Sequence, residues 1–106
     1  MSFFDLFKRP DIDQGVAEYN TISGAVLLDV RTPNEYREGH IPGSKNISLQ
    51  TIEKAKSAIK DLTTPLYVYC YSGSRSSQAT ALLKRMGYTN VKNIGGIADY
   101  TGKVAV

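Results

Sequence analysis

Pro65-Leu66-Tyr67-Val68-Tyr69-Cys70-Tyr71-Ser72-Gly73-Ser74-Arg75-Ser76-Ser77 is the stretch that decides how this chain reads. Its first five residues form a short apolar run of the kind that makes a buried strand. Its second half is small and polar, and beyond it Ala79, Leu82, Leu83 and Met86 recur at i, i+3, i+4 and i+7, one face of a helix. Cys70, the only cysteine, therefore stands at the carboxyl end of a predicted strand, just before a helix N-terminus. A sheet protein binds ligands at that end of its strands. Backbone amides and the helix dipole lower a thiol pKa there. The segment reads as a cysteine-based group-transfer site.

A strand that turns into a helix within a few residues leaves several N–H groups pointing into the loop. Ser72, Gly73 and Ser74 are small enough for the backbone to curl around the sulfur, and Gly73 can take a positive φ. Such a nest of amides suits an anion, here a thiolate or an incoming oxyanion. Arg75 closes the loop with two donors for an anionic group, and the hydroxyls of Ser72, Ser74 and Ser76 add further donors. The opposing reading is a buried structural thiol, the usual fate of an arbitrary cysteine. The loop, Arg75 and the following helix weigh against it. His40, the single histidine, lies in the turn Gly39-His40-Ile41-Pro42-Gly43 and is expected to hydrogen-bond structurally rather than serve as a general base. One Cys and one His cannot build a zinc site, and no cofactor is expected.

Outward from this centre, Asp13 is read as the cap of a short helix burying Val16 and Ala17, with Gly15 weakening it. Ala25–Val30 is nearly continuous apolar sequence, as in a parallel strand covered on both faces. Thr32-Pro33-Asn34-Glu35 is a helix start: Thr32 as N-cap, Pro33 in the first turn, Glu35 closing a capping box. Gly39 ends that helix, and a short strand is expected near Lys45–Leu49. Ile52, Ala55, Ile59 and Leu62 share one face of a helix predicted from about Thr51 to Leu62. The helix after Cys70 is expected from about Arg75 to Met86, with Lys84 and Arg85 in its last turn and Gly87 past its end. Val91–Ile94 reads as a strand, Gly95-Gly96 as a turn, and Ile97–Tyr100 as a short helical piece. Strands alternating with helices give an α/β fold with a mainly parallel central sheet and helices on both faces.

The chain has 106 residues, which suits one domain, 1–106, with an extension over residues 1–10 that is free to fray. Its net charge of +3 comes from 13 basic and 10 acidic residues, well mixed. Lys54, Lys56 and Lys60 read as a solvated helix face, and without Trp or an interleaving of aromatic and basic residues an RNA-binding role is disfavoured. No apolar run approaches the roughly 20 residues that span a bilayer. The start, Met1 to Pro10, lacks the pattern of a signal peptide; with a single thiol this points to a reducing, cytoplasmic setting. Phe3, Phe4 and Phe7 are expected to join the core.

Two blocks carry a resemblance. Leu28-Asp29-Val30-Arg31-Thr32-Pro33-Asn34-Glu35-Tyr36 followed by Gly39-His40-Ile41-Pro42-Gly43-Ser44 and Asn46-Ile47 resembles the first signature of the rhodanese-like sulfurtransferases. Tyr67–Cys70 with its loop to Arg75, then Ala79–Leu83, Gly87-Tyr88, Val91 and Gly95-Gly96-Ile97, resembles the rest of that domain. The likeness runs from about Ala25 to Gly102. It implies that Cys70 accepts a sulfane sulfur from a donor such as thiosulfate or a small persulfide. A Cys70 persulfide then passes the sulfur to cyanide or a thiol. It also implies that Tyr71, Ser72, Gly73, Ser74 and Arg75 form the substrate-binding loop, and that Asp29 and Arg31 are structural and pocket-edge residues. The related phosphatases and arsenate reductases carry a longer loop, a wider cradle for a tetrahedral oxyanion. The four residues between Cys70 and Arg75 place this chain on the sulfur-transfer side. The position after the cysteine, often basic in thiosulfate-using members, is Tyr71, which weakens attraction for a dianionic donor. With no second cysteine, a Cys70 persulfide has to be discharged by an outside molecule. The alternative is a rhodanese-like module that binds or regulates without turnover.

Overall fold

The computed structural model describes residues 10–106, so Phe3, Phe4 and Phe7 lie outside the described residues. In chain order the elements are α1 (Ile12–Thr21), β1 (Val26–Asp29), α2 (Pro33–Glu38), β2 (Lys45–Asn46), a 3-10 helix (Leu49–Lys54), α3 (Ala55–Ala58), β3 (Leu66–Cys70), α4 (Ser74–Arg85), β4 (Val91–Gly96) and a 3-10 turn (Ile97–Asp99). The four strands form one sheet in the order β2-β1-β3-β4, and every pairing is parallel. Parallel strands need crossover connections, and these put helices on the sheet faces.

Alternation along the strands divides the core into two layers. Leu28, Leu66, Val68 and Cys70 face Ala79 and Leu83 of α4 together with Ile52, Ala55 and Ile59. Leu27, Tyr67 and Tyr69 face the opposite way, against Ile12 and Val16 of α1, with Ile41 and Ile94. β3 is buried at all five positions, as its unbroken apolar run requires. Its carboxyl end opens into the Cys70 loop, so the thiol sits where sheet and α4 meet.

Four local readings are corrected. The N-cap of α1 is Asp11, whose carboxylate accepts the Gln14 amide, rather than Asp13. Asp13 instead accepts the Thr101 amide at 3.0 Å and the Thr101 hydroxyl at 2.7 Å, tying the C-terminal segment to α1. The expected helix from Thr51 to Leu62 is broken into the 3-10 helix and the single turn of α3, with Thr51 out of helical range at φ −124° and ψ 30°. The Tyr88 hydroxyl reaches the carbonyls of Ala55 (2.9 Å) and Ile59 (2.5 Å), caps that turn, and lets Ile52, Ala55 and Ile59 stay buried without a regular helix. β2 is shorter than expected, although Ile47 and Leu49 still donate to the carbonyls of Asp29 and Val30. Gly95 and Gly96 are not a turn but the end of β4, where the register against β3 shifts between Val68 and Tyr69 and Gly95 takes a φ of +107°.

Candidate active site

Cys70 is the last residue of β3 and is fully buried. The chain leaves the sheet at Tyr71 and begins α4 at Ser74, so the loop has almost no length in which to reverse. Gly73 supplies the reversal with a φ of +101°, a left-handed conformation that costs other residues dearly. That conformation turns the Gly73 amide back toward Cys70, with N to Sγ at 3.0 Å. One turn into α4, the buried Ser76 places its hydroxyl 3.4 Å from the same sulfur. Burial pushes the Cys70 thiol up, but the Ser76 hydroxyl and the amides of Ser76, Gly73 and Ser72 pull it down. In sum they prevail, and the thiol lies below its ordinary value.

The predicted loop residues are brought together, in different roles. Gly73 donates to the sulfur through its amide, whereas the hydroxyls of Ser72 and Ser74 make no hydrogen bond to it among the described residues. Tyr71 is 56% exposed and flanks the loop on its solvent side. Its carbonyl turns inward to accept the Ala98 amide and lies on Gly96, where a Cβ would come within 2.1 Å. Only glycine lets β4 pass that closely beneath the loop. Arg75 carries a fork of two donors as expected, but both are engaged by Glu35, at 2.7 and 3.0 Å. The Arg75 guanidinium holds the Glu35 carboxyl down at about 2, against the opposing effect of burial. Glu35 also accepts the Thr32 amide and completes the capping box of α2, so one carboxylate joins the start of α2 to the start of α4.

Asp29 and Arg31 form a buried ion pair at the end of β1, closed by contacts from Nε (3.1 Å to each carboxylate oxygen) and Nη2 (2.7 Å). Arg31 also donates to the Gly39 carbonyl at 2.7 Å, fixing the turn that carries His40. His40 stacks on Tyr36 at 3.8 Å with its Nδ1 on the Tyr36 carbonyl, and its backbone pairs with Ala105. It makes no hydrogen bond to Cys70, as befits a structural part. No group of three or more His, Cys, Asp or Glu side chains gathers as a metal ion would need, among the described residues.

Two contributors were not among the expected site residues. In the sequence Ser76 is one of several loop hydroxyls; its place three residues past Gly73, the N-cap of α4, turns it back under the loop, a helix-period signal. Asn93, on β4, reaches the loop from the next strand, and nothing in the local sequence pointed to it. Its side chain accepts from Ser76 Oγ at 2.7 Å and from the Gly95 amide at 3.1 Å, and donates to the Gly73 carbonyl at 3.3 Å.

Comparison with known proteins assigns this arrangement to a family. The profile of the rhodanese-like domain matches residues 12–103. The chain belongs to the rhodanese-like domain family. The match begins at α1, upstream of the blocks that first carried the likeness. The thiosulfate sulfurtransferase PspE of Escherichia coli is 41% identical over 73 residues, 68% of this chain and 70% of that one. The thiosulfate sulfurtransferase GlpE of Stutzerimonas stutzeri is 37% identical over 90 residues, covering 85% of this chain and 80% of its own. A solved rhodanese with anions from Escherichia coli superposes with a TM-score of 0.71 at 36% identity, over 76% of this chain and 96% of the other. This rhodanese-like chain is a sulfurtransferase, an enzyme that moves sulfur between a donor and an acceptor.

Proposed function

We propose that this rhodanese-like protein transfers a sulfane sulfur through a persulfide on Cys70. The donor is thiosulfate or a low-molecular-weight persulfide, and the acceptor is a thiol or cyanide. One observation carries the reading: the thiol lies at the head of α4 with the Gly73 amide and the Ser76 hydroxyl aimed at it, which lowers its pKa in spite of burial. With thiosulfate, the Cys70 thiolate attacks the outer sulfur, a Cys70 S–S bond forms, and sulfite leaves with the electrons of the broken S–S bond. A thiolate or cyanide then attacks the outer sulfur of the persulfide, and Cys70 departs as thiolate. The donors that hold the thiolate also hold the anionic persulfide, so both ends of the cycle draw on one set of hydrogen bonds.

Because Cys70 is fully buried, a donor reaches the sulfur only when the wall around it opens locally. Tyr71, Ser72, Gly73, Ser74 and Arg75 form the binding wall in this reading, with Arg75 meeting an anionic donor once it parts from Glu35. Intact-protein mass after incubation with thiosulfate, and separately with a glutathione persulfide, tests the proposal in wild type and Cys70→Ser. The expected result is a gain of one sulfur atom on the wild type alone, removed by cyanide with release of thiocyanate. No gain with either donor sinks the proposal in favour of a binding module without turnover.

A further inference from the structure

The Ser76 hydroxyl has one proton and three acceptors in reach: Asn93 Oδ1 at 2.7 Å, Cys70 Sγ at 3.4 Å and the Gly95 carbonyl at 3.5 Å. Distance places that proton on Asn93 while the thiol is neutral. The neutral S–H can then donate to Ser76 Oγ, giving a chain from sulfur through hydroxyl to amide oxygen. When the sulfur becomes an anion the hydroxyl gains by rotating onto it, since hydrogen bonds to a charged acceptor are the stronger ones. Rotation leaves nothing stranded: Asn93 Oδ1 keeps the Gly95 amide at 3.1 Å, so no buried acceptor loses its last donor. The other end of the same amide donates to the Gly73 carbonyl, which also accepts the Ser77 amide. This holds Gly73 in the conformation that points its N–H at the sulfur. The network admits only one orientation of Asn93, because a flipped amide would set NH2 against the Gly95 N–H and oxygen against the Gly73 oxygen.

We propose that Asn93 is a positioning residue for sulfur transfer: it holds the Gly73 loop and stores the Ser76 hydroxyl until Cys70 carries charge. The inference rests on Cys70 being the sulfur-carrying residue, but its readouts report on the thiol and not on turnover. The two can therefore fail separately. Aspartate does not serve at position 93, because it cannot donate to Gly73; this is a reason for the amide that packing alone does not supply.

The test is the pH midpoint of Cys70 alkylation by iodoacetamide in wild type, Asn93→Ala, Ser76→Ala and the double variant. The charged groups at this end of the sheet are the same in all four: Arg75 of α4, Glu35 of α2, the Asp29–Arg31 pair beyond β1, and Asp99 beside the loop. Each single variant is expected to raise the midpoint by about half a unit, roughly a threefold loss of thiolate at neutral pH. The double variant is expected to fall short of the sum. Unchanged midpoints in a folded Asn93→Ala protein, or shifts that add in full, overturn the proposal. A second readout needs no change at Asn93. The Gly95 amide and Asn93 side-chain NMR signals should titrate with the Cys70 midpoint in wild type and lose that titration in Ser76→Ala. Signals that ignore the Cys70 midpoint in wild type also overturn it.

Discussion

At the scale of single residues, the site depends on buried polar groups that have partners. Asp29 and Arg31 are 0% and 5% exposed and satisfy each other almost completely. Removing one partner leaves a buried charge, which costs about 3–5 kcal/mol, more than the pair contributes relative to an apolar substitute. Asp29→Ala should therefore lower the unfolding free energy read from urea titration by that much, while conservative changes at exposed Lys54 or Lys56 should leave it within experimental scatter. Gly73 is the second such point. At its φ of +101° an added Cβ costs about 1–2 kcal/mol. A Cβ there would meet Gly95 Cα at 3.5 Å, an ordinary contact, so the cost lies in the backbone conformation rather than in a clash. Gly73→Ala is expected to destabilise by that amount and to raise the pH at which Cys70 alkylates, because the amide that faces the sulfur is displaced. A stability loss with an unchanged alkylation profile would show that the amide is not aimed at the sulfur.

At the scale of elements, Glu35 does two jobs that separate by mutation and by pH. It closes the capping box with Thr32, and it pairs with Arg75 across to α4. Glu35→Gln keeps an oxygen for the Thr32 amide, and so reports on the ion pair alone. The folded carboxyl titrates near 2, below its unfolded value, so the folded state binds fewer protons in the interval between them. The pair's contribution is complete above the ordinary carboxylate range and drains away as pH falls toward 2. The difference in Tm between wild type and Glu35→Gln should be constant near neutrality, shrink below about pH 5 and vanish near pH 2. Both side chains are about one-third exposed, so the difference is expected to be small, on the order of 1 kcal/mol or less, and weaker in high salt. A gap that persists at pH 2 would assign the effect to packing.

At the scale of the whole molecule, α1 lies so close to the sheet that its middle residue has no room for a side chain. A Cβ on Gly15 would come within 2.5 Å of Ile94 Cβ. In a free helix Gly→Ala is favourable by roughly 1 kcal/mol. Here it should destabilise, by about 1–3 kcal/mol from overpacking, as thermal unfolding of Gly15→Ala will show; a stabilised variant would mean that α1 can lift off the sheet. By propensity Gly15 is a weak spot of the helix, which is true of the helix alone and false of the helix on its sheet. The features legible in sequence were those whose partners lie within a turn or a strand of each other. The apolar run into Cys70, the small loop, the amphipathic face of α4 and the box from Thr32 to Glu35 all express local geometry, and local geometry is written in local spacing. The kink at Thr51 was not legible, because the Tyr88 hydroxyl that caps α3 comes from 29 residues beyond Ile59. Nor was the partner of Arg75, 40 residues away, or the link from Asn93 to Ser76, 17 residues apart on neighbouring elements. Sequence by itself determined the order of strands and helices, the parallel sheet and the place of the thiol, since periodicity and turn chemistry act over a few residues. Tertiary structure alone decided which donors face the sulfur, which charge holds Arg75 and why Gly15 and Gly96 are glycines, because those contacts exist only after distant segments have packed.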